Sequence, residues 1–539
     1  MSAYGIALDL GTSGFRGQAI DLGSGRIMGT VITARHPLPG ANVMDHLNFA
    51  VDYGLPAAHS LVMAAVNQVL RQLDVPGEIC RLAVCGNPIQ LSLFEEIEVR
   101  DLAYAGERKR RALGVEAPNR DARELAAEQV RGLDLPPGAA VYIPPAVRHE
   151  IGADALAMMI LSGLLDNPDI CLATDYGTNA EMALKVGDEI ITGSCAAGPA
   201  LEGQHIRHGM LAAPGAISDL APEAAGFRCL VLDQNLTPQQ GDLVNPQRGM
   251  VLERGGLAAL GITGTGVIST VYEGMRASLI QLPEVKVAGG MRLANGIVFS
   301  SDDLVEAGKA IGALRAGYLT LAHGAGIAVK DIKCAYMAGA SGTYVDARKA
   351  HKIGAVPPAA EQIYQVGNTS LAMARQIALN PRRLGELQEL AGRLRARHCM
   401  FGSSREFANA YMLELAYWGE GMPWPQYEKL ARSFKLPVLP RPEGDPRIVR
   451  VVQRDIDDLG TRGLQVIEQV GPVHEARFEG CLGCGRCVQE CPEQALAAAG
   501  TENDIILRLR FDRCNGTACM RCERNCPENV FSLRAMVGC

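Results

Sequence analysis

What this chain lacks narrows its function before any motif is read. No apolar run approaches the ~20 residues a membrane helix needs, which excludes a helical membrane span. Positive charge is not in excess: 52 Lys and Arg face 59 Asp and Glu, for a formal net charge of -7. With no basic stripe, nucleic acid is not expected as a main partner. No G-x-x-x-x-G-K-[ST] loop occurs, so any nucleotide chemistry rests on something other than a P-loop fold. No targeting segment precedes the strand that begins at Tyr4, so the expected location is the cytoplasm, where disulfides are not expected. What is there is ordinary in bulk: 539 residues, 48% hydrophobic and 21% charged, enough for several domains.

Cysteine carries the strongest signal. Cys481, Cys484, Cys487 and Cys491-Pro492 form C-x2-C-x2-C-x3-C-P, and Cys514, Cys519, Cys522 and Cys526-Pro527 form C-x4-C-x2-C-x3-C-P. Thiolates at this spacing each hold one corner of a [4Fe–4S] cubane, and the fourth Cys of each run serves the other cluster. The implied sets are Cys481, Cys484, Cys487 with Cys526, and Cys514, Cys519, Cys522 with Cys491. Each Pro turns the chain away after its ligand and has no N–H to compete. The competing zinc reading asks for separated C-x2-C knuckles, not triplets ending in C-P. Cys80, Cys85, Cys171, Cys195, Cys229, Cys334 and Cys399 stand singly in apolar contexts, as reduced core thiols do, and Cys539 is assigned no role.

The N-terminal segment carries a second signal. Tyr4-Gly-Ile-Ala-Leu-Asp9 reads as a buried strand, and Leu10-Gly-Thr-Ser-Gly-Phe-Arg-Gly17 as a tight turn into a second strand. Gly11 and Gly14 let the backbone approach a phosphate, Thr12 and Ser13 offer donors, and Asp9 can hold a hydrated Mg²⁺. The pattern returns about 165 residues later as Ile170-Cys-Leu-Ala-Thr-Asp175 followed by Tyr176-Gly-Thr-Asn-Ala-Glu181, which predicts a duplicated fold with a nucleotide between the halves. Gly177, Thr178 and Asn179 are then the second set of phosphate contacts. Cys334 to Asp346 adds a strand, a Gly-rich turn and a helix start, where Gly339, Ala340 and Gly342 leave flat space for a nucleoside.

These three segments, in this order, resemble the actin, sugar-kinase and heat-shock-chaperone ATPase superfamily. Ala180-Glu-Met-Ala-Leu184, Gly261-Ile-Thr-Gly-Thr-Gly266, Ala338 to Asp346 and Gly367-Asn-Thr-Ser-Leu371 sharpen the likeness to the reductive activators of corrinoid proteins, and within them to the branch serving methylamine methyltransferase systems of methanogens. His36-Pro-Leu-Pro-Gly40, Asn42-Val-Met-Asp-His46, Cys85 to Phe94 and His149 to Ala157 extend it along nearly the whole chain. The other branch carries an N-terminal plant-type [2Fe–2S] domain. This chain begins at the ATPase strand, so the expected electron entry is the C-terminal module. The resemblance implies a two-lobed α/β ATPase of ribonuclease H-like topology with a bacterial ferredoxin-like α+β domain holding two [4Fe–4S] clusters. Its implied cofactors are ATP and Mg²⁺. Its implied partners are a low-potential electron donor and a corrinoid (cobalamin-binding) protein of a methyltransferase system, reduced from Co(II) to Co(I), with the choice of that protein left open. Closure of the lobes on ATP would shift an unfavourable electron transfer. Three other readings stand beside it: a small-molecule kinase, an activator of another low-potential enzyme, and an electron carrier on a degenerate ATPase fold.

The expected organisation is ATPase lobe one over 1–167, lobe two over 168–433, a Pro-rich linker with a short helix over 434–473, and the cluster domain over 474–539. Asp52 to Leu73 reads as one helix by its apolar spacing, and Leu102 to Leu133 as a solvated helix broken near Pro118. A short amphipathic helix is expected between Ile448 and Val470. The water-orienting residue is sought in Asp154, with Glu150 and Glu181 as alternatives. Gly264, in Thr263-Gly-Thr-Gly266, is assigned to the nucleotide, with an N-cap as the plainer reading. His205 and His208 are read as loop residues, Met158 and Met159 as core, and Arg108 to Arg111 as a solvated face able to dock an acidic partner.

Overall fold

The computed structural model describes residues 3–40, 42–103, 107–148, 151–177, 179–195, 205–442, 444–501 and 504–537. They form two compact units: Met1–Ala153 with Ser370–Ala391 and Leu459–Cys539, and Asp154–Thr369 with Gly392–Asp458.

In the first unit the apolar run Ala3–Leu10 is buried almost throughout, as a strand covered on both faces must be. It pairs antiparallel with Phe15–Asp21, which pairs with Ile27–Thr33, and parallel with Glu78–Gly86, which pairs with Ala140–Ile143. Helix Leu55–Leu73 turns Ala58, Leu61, Val62, Ala65, Val66, Val69 and Leu73 inward at helical spacing. Asp52 to Leu73 is not one helix, however. Gly54, at φ 103°, ends the helix Val43–Tyr53 and starts the next one, which has Pro56 in its first turn.

The second unit repeats the plan. Cys171–Tyr176 pairs antiparallel with Ala180–Val186, which pairs with Glu189–Cys195, and parallel with Cys334–Ala338, which pairs with Gln362–Gly367. Both sheets thus place a three-stranded meander beside two parallel strands. A second layer holds the 25-residue helix Ser301–Ala325, capped by Ser300 and Asp303 and closed by Gly326 in the left-handed region. It packs on Arg405–Glu420, where the buried Arg315 lies 3.2 Å from Glu414.

Two expectations are corrected. Between Ile448 and Val470 there is no helix: Arg447–Arg450 adds in parallel to Gln362–Gly367, and Leu464–Ile467 adds in parallel to Ile27–Thr33. Gly460 and Gly463, both at positive φ, break any helix there. Nor is Leu102 to Leu133 a solvated helix. It holds the short helix Glu107–Ala112, and Arg123–Ala126 is an edge strand antiparallel to Ala140–Ile143. The Arg120 guanidinium, bonded to the buried Asp101 at 2.7 Å, anchors the intervening coil.

The C-terminal module is a three-stranded sheet, Val473–Ala476, Asp504–Arg510 and Leu496–Thr501, with short helices at Arg486–Gln489, Arg521–Arg524 and Leu533–Val537. Within the first unit it is held by Phe511, whose ring lies 5.9 Å from that of Phe49, and by the Gly40 N–H, which donates to the Cys514 carbonyl at 2.8 Å. Among the described residues no helix is long and apolar enough to cross a membrane.

Candidate functional site

Asp9 is the penultimate residue of its strand and is buried, opposite Arg16 across the hairpin and Cys85 on the parallel side. Arg16 reaches back over the turn, with Nη1 3.1 Å from the Gly14 carbonyl and 3.9 Å from Asp9 Oδ2. No side chain fits at Gly11 or Gly14: an added Cβ would stand 2.8 Å from Arg16 Nη1 in one case and from the Thr33 carbonyl in the other. Thr12 and Ser13 lie half-buried between them, and Asn87 Nδ2 donates to Thr12 Oγ1 at 3.1 Å. This turn is a cradle of backbone and hydroxyl donors with one cation and one carboxylate at its mouth, suited to an Mg²⁺-bound phosphate. Neither Arg16 nor Asn87 was singled out from sequence. The register was the available signal for Arg16, since a four-residue hairpin turn sets it directly across from Asp9.

Asp175 occupies the corresponding place in the second sheet, opposite Glu181 across the hairpin and Ala338 on the parallel side. Gly177 and Asn179 follow it half-buried, while Thr178 and Glu150 lie outside the described residues. Gly339 adopts φ +76°, and an added Cβ there would stand 2.3 Å from Asp175 Oδ1, so the Gly-rich turn and the Asp175 turn share one wall. Ala340 and Gly342 lie on the short helix Gly339–Tyr344 that follows. Gly342 sits against the Met337 carbonyl, where an added Cβ would come within 2.9 Å of the backbone. Asp154, in the first turn of Ala153–Leu161, and Asp175 both raise the proton affinity of Glu181. Burial is the first cause and Asp154 the next; together they push Glu181 up to about 8, against the Ser194 hydroxyl, which donates to its Oε1 at 2.8 Å. Three carboxyl groups therefore gather at this turn. Gly264 is buried at the start of helix Gly264–Arg276, whose first N–H groups are met by Thr263 Oγ1, 3.1 Å from the Gly266 nitrogen. Met158 and Met159 are core, and His205 and His208 are loop residues.

The cluster cysteines fall into two sets. Cys481, Cys484, Cys487 and Cys526 line a first hollow, together with Phe478, Ile505, Leu507 and Val530. Cys491, Cys514, Cys519 and Cys522 line a second with Leu496, Leu509 and Leu533. Among the described residues no three His, Cys, Asp or Glu side chains are arranged to hold a single metal ion. Four thiols around an apolar hollow instead fit a cubane. Burial pushes Cys514 and Cys522 up to about 12, with the neighbouring cysteines adding at both and Glu523 ahead of them at Cys522, so the positive charge of an iron core is what would hold them as thiolates. The two sites differ in surroundings. Cys484 and Leu482 of the first are exposed, Leu482 at 72%, whereas at the second the Ala495 and Gly516 N–H groups donate to Cys491 Sγ and Cys514 Sγ at 3.2 and 3.3 Å.

Family models match three parts of the chain. Residues 4–167 match the RACo middle region, residues 169–428 the C-terminal domain of RACo, the ASKHA domain, and residues 480–533 a 4Fe-4S dicluster domain. The dicluster match implies two clusters, and an ASKHA domain points to ATP. The chain is 47% identical, over 516 residues and 96% of each protein, to "[Co(II) methylated amine-specific corrinoid protein] reductase" of Methanosarcina barkeri. It is 26% identical over 374 residues, 66% of this chain and 60% of the other, to "Corrinoid activation enzyme RamQ" of Eubacterium limosum. A solved structure titled "Reductive activator for corrinoid,iron-sulfur protein" shares the fold, with a TM-score of 0.63 and 24% identity over 77% of this chain and 66% of that one. The fold is that of the ASKHA ATPases with a dicluster module added, and the chain belongs to the RACo family.

Proposed function

We propose that this chain is an ATP-dependent reductase that returns the Co(II) form of a methylated amine-specific corrinoid protein to Co(I). The observation that carries this reading is the 47% identity, over 96% of both chains, with a reductase of that description. The site geometry supports it, since each phosphate turn keeps its Asp and its Gly-bearing backbone, and the eight cysteines stand in two sets of four. In this reading Asp9 and Asp175 hold Mg²⁺, while Thr12, Ser13, Gly177, Thr178 and Asn179 meet the phosphates. Gly339, Ala340 and Gly342 flank the nucleoside, and Gly264 supports them from the neighbouring helix. Asp154 orients the attacking water, and Glu181, keeping its proton at neutral pH, tempers the negative charge around it. Two [4Fe–4S] clusters in the cysteine-lined hollows would supply one-electron transfer at low potential. ATP is needed because each ~59 mV by which cobalt lies below the donor costs tenfold in equilibrium.

The test mixes the iron-loaded protein with a Co(II) methylamine corrinoid protein, ATP, Mg²⁺ and a strong reductant, and follows the cobalamin absorbance. Conversion to Co(I) is expected, and Asp9→Ala and Asp175→Ala should each lower ATP hydrolysis at least about 100-fold by removing a metal ligand while iron content stays unchanged. ATP hydrolysis without Co(I) formation, against mono-, di- and trimethylamine corrinoid proteins alike, would sink this reading.

A further inference from the structure

Inside the first unit a chain of buried and half-buried side chains joins the phosphate turn to one of the two cysteine sites. Asn87 donates to Thr12 Oγ1 at 3.1 Å and, through Oδ1, caps helix Pro88–Glu95 at the Gln90 N–H, 2.9 Å away. Gln90 is fully buried and bridges two stacked histidines: Oε1 is 2.9 Å from His36 Nε2, and Nε2 is 3.0 Å from His46 Nδ1, with the rings 3.8 Å apart. The strap that follows His36 touches the second cysteine site. Gly40 N–H donates to the Cys514 carbonyl, and Gly516 lies so close that an added Cβ would meet Pro39 at 3.4 Å.

Proton positions in this relay are fixed from one end. The Leu38 N–H donates to His36 Nδ1 at 3.1 Å, so the neutral ring carries its proton on Nε2 and gives it to Gln90 Oε1. Gln90 Nε2 then donates to His46 Nδ1, and His46 keeps its own proton on Nε2, buried and without a partner among the described residues. If the strap withdraws the Leu38 N–H, the Gln90 amide can turn over. His36 then carries its proton on Nδ1 and accepts from Gln90 at Nε2, His46 donates from Nδ1, and the unpaired N–H passes from His46 Nε2 to His36 Nδ1, beside the strap. The relay has two arrangements with one unpaired N–H each, with Thr12 at one end and the strap on Cys514 at the other.

We propose that the His36–Gln90–His46 relay couples the phosphate turn to the second cluster, so that nucleotide at Thr12 shifts the reduction potential of the Cys491, Cys514, Cys519 and Cys522 site and leaves the Cys481, Cys484, Cys487 and Cys526 site unmoved. The proposal rests on the functional reading above, in which the turn holds ATP and the thiols hold clusters. The three relay side chains are positioning residues and touch neither ligand. Coupling of this kind is reciprocal: reduction of the second cluster must change nucleotide affinity by the same factor that nucleotide changes its potential, with tenfold in affinity matching about 59 mV for one electron.

The experiment is an EPR-monitored redox titration of the iron-loaded protein with ADP, with a non-hydrolysable ATP analogue and with no nucleotide. Cys519→Ser identifies which step belongs to the second site. Movement of that step alone is expected, with a matching change in analogue affinity between oxidised and reduced wild-type protein. Gln90→Met, which keeps the volume and removes the bridge, should cancel the shift while iron and nucleotide binding persist. The proposal is overturned if neither step moves, if both move equally, if the first site moves instead, or if Gln90→Met retains the shift. The wild-type comparison decides the matter even if that variant fails to fold. Absence of nucleotide binding, or iron well short of about eight per chain, would overturn the functional reading itself and the relay with it.

Discussion

Glu181 has the most informative electrostatics of the residues gathered at the Asp175 turn. In the folded chain burial, and then Asp154, let it keep its proton up to about pH 8, whereas an unfolded chain releases it near the ordinary value of 4.5. The unfolded state therefore binds fewer protons across that window, and stability should fall as pH rises from about 4.5 to about 8, by at most ~1.4 kcal/mol per pH unit. Scanning calorimetry of Mg²⁺-free and nucleotide-free protein at pH 5, 7 and 9 should show the decline, and Glu181→Gln should flatten it; an equal decline in the variant would assign the slope to another group. The sequence reading set this residue in the turn, whereas it lies on the strand Ala180–Val186, and it could not show that Glu181 stands with Asp154, because the two lie on different elements 27 positions apart. The same limit hid the His36–Gln90–His46 bridge, which joins three segments. The cysteines were legible because their chemistry is written in local spacing. Asp9 and Asp175 were legible because a strand and its turn are contiguous in the chain.

At the scale of elements, legibility followed the source of each element's stability. Ala3–Leu10 and Leu55–Leu73 carry their own periodicity or continuous apolar content, and sequence places them to within a few residues. Arg447–Arg450 and Leu464–Ile467 do not. Each is a four-residue strand that exists because a sheet edge accepts it, and the surrounding Pro and Gly read as a linker. Arg123–Ala126 was misread for the same reason, an Ala-Glu-Arg composition favouring helix until an edge partner overrides it. The contribution of the edge can be measured at Val451, whose side chain is 58% exposed but whose N–H donates to the Gln365 carbonyl at 2.9 Å. Val451→Pro removes that bond and no core volume, so a loss of about 1–3 kcal/mol is expected, seen as a lower unfolding midpoint with iron content unchanged. An unchanged midpoint would mean that the strand adds nothing to the sheet.

The molecule as a whole is built from one plan used twice and a module in which Cys526 lines the hollow of the first run and Cys491 that of the second. Each sheet sets its Asp at the penultimate position of the first meander strand, beside a parallel strand that runs into a helix, which is why removal of either Asp should be equally damaging to ATP hydrolysis. The module is not a detachable tail, since Phe511 packs on Phe49 and the Val470 N–H is bonded to the buried Asp512. Cutting the chain after Pro472 would strip the first unit of those contacts, so point substitution is the cleaner probe of the electron path. Cys491 is the decisive position. By sequence it completes the first run, yet it lines the hollow with Cys514, Cys519 and Cys522, and its Sγ accepts the Ala495 N–H at 3.2 Å. Cys491→Ser should therefore disturb the second cluster and spare the first, whereas Cys526→Ser should do the reverse. Iron analysis with EPR of the reduced proteins separates the cases: each variant should keep about four irons per chain and one [4Fe–4S] signal, and the surviving signal should differ between them. Cys519→Ser, which loses the second cluster in either arrangement, is the reference: its signal should match that of Cys491→Ser, and a match with Cys526→Ser instead would mean that each run holds its own cluster and that the ligands do not cross.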